Sequence, residues 1–88
     1  MKYLKRNWDE SRGDELDHWG TSIWYFEVLD NGNVVRQVEV YANGPALKYD
    51  QTHVEDEYGC LSDQPLDLED FAAFEIRKDE FEGVWNRN

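Results

Sequence analysis

The chain has 88 residues, and twenty Asp and Glu against nine Lys and Arg give it a formal net charge of −11. A field of that sign repels nucleic acid and anionic membrane surfaces and attracts basic proteins. The one cysteine, Cys60, excludes an internal disulfide and a zinc site of the CxxC type.

The length predicts one domain over residues 1–88 with a modest core and little room for a deep pocket. Four Trp, five Tyr and four Phe compensate; each large ring buries on the order of 150–250 Å². The basic start Lys2, Lys5, Arg6 is not followed by an apolar run, so no signal peptide is expected. No stretch approaches the roughly 18–20 apolar residues of a membrane span. The expectation is a soluble cytoplasmic protein.

In chain order, residues 2–8 alternate loosely and predict a first strand. Residues 9–21 are polar, carry two Gly and predict a loop. The aromatic and β-branched run Ile23–Leu29 is a strong strand signal. Asp30-Asn31-Gly32 and the strand Val34–Tyr41 complete a hairpin.

Its register can be argued from the apolar pattern. A two-residue loop would set Trp24, Phe26 and Val28 on the face of Gln37 and Glu39. A three-residue loop, with Gly32 left-handed in a bulge, instead sets them beside Val34, Arg36, Val38 and Val40. Tyr25 and Glu27 then share the other face with Gln37 and Glu39. This second register, opposing Phe26 to Arg36, is the one expected. It leaves Tyr25, Glu27, Gln37, Glu39 and Tyr41 on a polar, aromatic face that is either solvated or a docking surface.

Ala42-Asn43-Gly44-Pro45 predicts a turn and Ala46–Tyr49 a short fourth strand. The acidic stretch 50–66 is expected to be mostly loop. Asp67 can cap a helix over Leu68–Phe74. A second helix from about Lys78 to Asn86 carries Phe81, Val84 and Trp85 as one apolar stripe, weakened at Gly83 by roughly 1 kcal/mol relative to Ala. Strands first and helices last predict an α+β domain: an antiparallel sheet of about four strands with two short C-terminal helices on one face.

Several of these segments resemble a family of small acidic bacterial domains of unknown function. The matching pieces are Tyr3 and Trp8, the runs Gly20–Val28 and Val35–Pro45, and Tyr49-Asp50. They continue with Glu55–Gly59, Asp63–Asp67, and a closing Glu80-Phe81-Glu82 with Trp85. The resemblance spans nearly the whole chain and implies a role as an immunity protein. Cys60 departs from it where a small residue such as Gly is expected. Arg77 departs where a Ser or Thr would cap the last helix.

Asp50–Asp70 holds eight acidic residues and no Lys or Arg. Its carboxylates and His53 could hold a divalent cation, but the calcium-loop pattern D-x-[DN]-x-[DN]-G is absent, and a solvated acidic loop is the plainer reading. His18 and His53 each lack a sequence partner for acid–base work. Cys60 lies among acids, which works against a thiolate nucleophile. Arg36, on an apolar strand face, needs a carboxylate such as Glu75 or Glu82.

The expected function is therefore non-catalytic, with no cofactor: binding of a basic protein partner, such as a nuclease toxin, through Asp50, Glu55, Asp56, Glu57, Tyr58 and Asp63, helped by Asp9–Asp17. The alternatives are a general accessory interaction domain and, further off, a small enzyme or metal binder.

Overall fold

The computed structural model describes residues 1–87. Five strands form one antiparallel sheet: β1 Lys2–Trp8, β2 Ser22–Val28, β3 Val34–Tyr41, β4 Ala46–Tyr49 and β5 Glu75–Ile76, in the order β4-β3-β2-β1-β5. The helices are α1, Leu68–Phe71, continued by a 3₁₀ turn over Ala72–Phe74, and α2, Lys78–Trp85. The α+β class, the first four strands and the Asp67 cap agree with the sequence expectation. The Asp67 carboxylate accepts from the backbone N–H of Glu69 and Asp70. Arg77 offers α2 no side-chain cap. The fifth strand is only two residues long and has no sequence period to announce it.

The expected hairpin register is overturned. Phe26 stands opposite Gln37, Tyr25 opposite Val38 and Trp24 opposite Glu39. Val28 does face Val34, as expected, and Gly32 has a φ of +91°. The register then shifts between Glu27 and Val28, so that Glu27 opposes Arg36 and Val35 is left over as a bulge. One extra residue at that point reverses the facing of everything after it.

The physical reason is that the sheet is buried on both faces. Alternation therefore separates two cores and does not divide inside from outside. Leu4, Phe26, Val28, Tyr41, Leu47 and Tyr49 build the first core, with Trp19 and Leu61 from loops. Tyr3, Tyr25 and Val38 build the second, with Phe81 and Val84 of α2. Val38 and Val40 thus find apolar company without sharing a face with Phe26. The face expected to be solvated does not exist: Tyr25, Glu27, Gln37, Glu39 and Tyr41 are all buried, and they divide between the two cores.

The two helices also divide. Phe71 of α1 meets Phe26 edge-on, with ring centroids 6.1 Å apart, in the first core. Phe81 of α2 lies 5.5 Å from Tyr3 in the second. The expectation of both helices on one face fails because β5 separates them and returns the chain across the sheet edge. Two glycines are required by close approach. A Cβ on Gly32 would fall 2.3 Å from the Leu66 carbonyl oxygen. One on Gly44 would fall 2.6 Å from the Trp19 ring.

Candidate functional site

The first core is roofed by two loops. Residues 9–20 anchor through Leu16 and Trp19, the latter on a 3₁₀ turn Asp17–Trp19 that the sequence did not signal. Residues 50–66 anchor through Tyr58, Leu61 and Leu66. Because the anchors alternate with short polar residues, the apolar side chains point down and the carboxylates stay in water. With Asp67 and α1, these segments hold thirteen of the twenty acidic residues and a single Lys or Arg, Arg12.

Arg12 ties the two loops together. Its guanidinium donates to the Tyr58 carbonyl oxygen at 2.8 Å, to the Tyr41 hydroxyl at 3.2 Å and to the Asp14 carboxylate at 3.2 Å. It also lies against the Trp19 ring, 5.7 Å from the centroid. Beside it opens a cleft of about 470 Å³. Trp8 and Trp24 line it from the sheet, Glu10 and Asp14 from one loop, Tyr58 and Cys60 from the other.

Glu39 lies in the wall of this cleft, only 3 % exposed. It accepts from the Tyr41 hydroxyl at 2.7 Å and from the Gln37 amide at 2.8 Å. Gln37 in turn donates to the Cys60 carbonyl and accepts from the Ser62 N–H. Every donor to Glu39 is neutral, so burial dominates and pushes its carboxyl above the usual range. Tyr41 is pushed up to about 12, by burial first and by its bond to Glu39 second. The arrangement is a satisfied polar network under an acidic rim. Among the described residues no buried side-chain nitrogen or oxygen lacks a partner.

The six residues expected at the site are dispersed. Tyr58 is the one that lines the cleft, packed 5.4 Å from the Trp19 ring. Asp50 closes a tight turn, accepting from Thr52 and His53; the Thr52 hydroxyl is the main cause holding its pKa down. Asp56 closes another, accepting from Tyr58 N–H, Gly59 N–H and the Tyr49 hydroxyl. Burial works against that carboxylate, yet these donors keep its pKa lowered. Glu55 bridges Cys60 through the backbone, Glu57 is exposed, and Asp63 sits apart in a shallow depression with Leu29 and Asn33.

His53 stacks on Tyr49 and reaches Asp56 at 3.2 Å. No group of three or more His, Cys, Asp and Glu converges on a metal position among the described residues. Sequence reasoning missed Trp8, Trp24, Arg12 and Glu39 as neighbours. The signal was available only in part: two Trp at the ends of paired strands needed the right register to be brought together, and Arg12 needed the loop fold.

The opposite face has a different character. Arg36 donates to both oxygens of Glu27 at 2.7 and 2.9 Å and also to Glu82, while its guanidinium lies 4.9 Å from the Phe81 ring and 5.0 Å from Trp85. Glu82 is thus one of the carboxylates expected for it; Glu75 pairs with Lys2. Arg36 is engaged by protein groups on every side and is placed as a structural residue of the second core. No helix is long and apolar enough to cross a membrane among the described residues. Comparisons with protein-family models, with curated proteins and with solved structures find no match for the chain.

Proposed function

We propose that this chain is a non-catalytic protein-binding domain of the toxin-immunity type, docking a basic partner such as a nuclease toxin over its loop-covered face. One observation carries the reading: the acidic charge is concentrated on the two loops and α1, around a cleft lined by Trp8 and Trp24. The carboxylates would speed encounter with a basic surface. A partner Lys or Arg entering the cleft would meet two indoles and the Glu10 carboxylate, next to the Arg12–Asp14 pair; a cation over an indole is worth about 0.5–2 kcal/mol. Glu39 and its neutral donors keep the wall rigid, so binding orders little that is not already ordered.

The test is a pull-down from the native cell at low and high salt, with mass spectrometry of what co-purifies. A basic protein retained at low salt, and lost when Glu10, Glu55 and Glu57 are changed to Lys, supports the reading. Association with no salt dependence, or no basic partner under either condition, sinks it.

A further inference from the structure

The outer edge of β1 is only partly occupied. β2 pairs with all seven residues of β1, but β5 pairs with Tyr3 and Leu4 alone. No backbone hydrogen bond outside the strand pairs reaches Lys5–Trp8 among the described residues. Between this edge and the segment Ala73–Ile76 lies a groove of about 430 Å³. Next to it, on the loop-covered face, opens an apolar pocket of about 300 Å³ lined by Arg6, Trp8, Trp24, Phe26 and Phe71. Trp8 and Phe74 are 45 % and 38 % exposed there. An open row of N–H and C=O groups beside a side-chain pocket is the arrangement that receives an added strand: main-chain bonds give affinity, and pockets under alternate side chains give selectivity.

We infer that an extended segment of the basic partner adds to the sheet along Lys5–Trp8, antiparallel to β1. The inference rests on the proposal that a basic protein docks on this face. Charge along the edge fixes the occupant. Lys5 is engaged by Glu80 at 3.7 Å, and Arg6 lies over Phe71 and Phe74 at 5.4 and 5.6 Å from their centroids. Beyond Trp8 the chain turns acidic at Asp9 and Glu10. An antiparallel segment would therefore present basic residues first, opposite Asp9 and Glu10. Two apolar residues at alternate positions would follow, over Trp8 and Arg6. A second copy of this chain fits poorly, because edge-to-edge pairing would bring together two chains that each carry a net charge of −11. The opposite edge, β4, is four residues long and follows Pro45, which blunts it against such pairing.

The probe is a synthetic peptide, Lys-Arg-Lys-Val-Thr-Ile-Thr, titrated into the whole isotope-labelled protein. Its controls are the same peptide N-methylated at alternate amides, in both registers, and the polar peptide Lys-Arg-Lys-Ser-Gly-Ser-Gly. The expected result is shifted resonances and slowed amide exchange at Lys5–Trp8, with a shifted Trp8 indole N–H. N-methylation in one register should weaken binding about tenfold or more, and Trp8→Ala should weaken it by a similar factor without unfolding the protein. Equal shifts from all peptides, confined to residues 9–17 and 50–63, would overturn strand addition and leave charge-driven docking standing. No shift with any peptide would also overturn it, and the pull-down then judges the docking proposal separately. Protection of the same amides by self-association, seen as a dimer in sedimentation, would overturn the choice of occupant.

Discussion

Glu27 and Glu39 stand on neighbouring central strands of the same sheet, and both are buried, but on opposite faces. Glu27 faces α2 and meets a guanidinium; Glu39 faces the loops and meets only a hydroxyl and an amide. The bond from Arg36 holds the Glu27 carboxyl below its ordinary range in spite of burial. Glu39, with no cation in direct contact, is raised because burial outweighs its neutral donors. The shifts are opposite because Glu27 is bonded to a guanidinium, whereas Glu39 lies deeper and has only neutral donors. One face keeps its charge as part of its core. The other holds a carboxyl that burial pushes towards its neutral form, beneath a surface already rich in negative charge.

The sharpest way to break this comparison is to remove the cation. Arg36→Met strands Glu27 in the second core, and thermal and denaturant melts should show a loss of about 3 kcal/mol or more, as for a broken buried pair. Changing Glu27→Leu as well should recover much of the loss. An unchanged melting temperature in the single variant would mean that the pair contributes nothing and that the second core is held by Phe81 and Val84 alone.

Next in size is Gly44→Ala, which presses a methyl group into the Trp19 ring that anchors the acidic loop; overpacking of this kind costs about 1–3 kcal/mol. The loss should register in Trp fluorescence and in exchange of the 9–20 amides while α2 stays protected. Uniform loss across both faces would show that the two cores do not respond separately. Tyr41→Phe should cost about 1 kcal/mol, removing a hydroxyl that donates to Glu39 and accepts from Arg12. It should raise the Glu39 pKa further, readable by carboxyl-carbon NMR.

The smallest effect is in pH dependence, where the two faces should differ in sign. A depressed folded pKa means that Glu27 contributes stability above the ordinary carboxylate value and loses it as pH falls through the folded one. A raised folded pKa means that the folded state holds the Glu39 proton more tightly. Its contribution is greatest below the ordinary carboxylate value and declines as pH rises through the folded one. Stability measured against pH for Glu27→Gln and Glu39→Gln, each relative to the parent, should diverge in opposite directions. Parallel curves would refute the assignment.

The same comparison explains how much the sequence could reveal. Strand positions were legible because Ile23–Val28 and Val34–Tyr41 are dense in β-branched and aromatic residues, and Asp67 announces its helix by its own side chain. The register was not legible. With only one face of the sheet buried, Gln37 and Glu39 would have to point to water. A polar residue fully supplied with partners can be buried, and nothing local in the sequence says that Cys60 and Ser62 will supply Gln37 from more than twenty residues away. The bulge at Val35 has no Gly to mark it. The candidate cleft shares this limit: the acidity of its rim is written in composition, but its Trp8 and Trp24 lining depends on pairing, and the Arg12 tie on long-range contact.

The strand order carries a consequence for synthesis. Strands β1 to β4 are sequential neighbours and can pair as they leave the ribosome, since each contact closes only a short loop. The cover for their second face is encoded downstream, in α2, and the partial guard on the β1 edge just before it, in β5. Until residues 75–85 emerge, Tyr3, Tyr25 and Val38 lie bare on a sheet whose long edge is open. A nascent chain stalled near Leu66 would be a sticky template, and the high negative charge of the loops already made would be its main protection against its own copies.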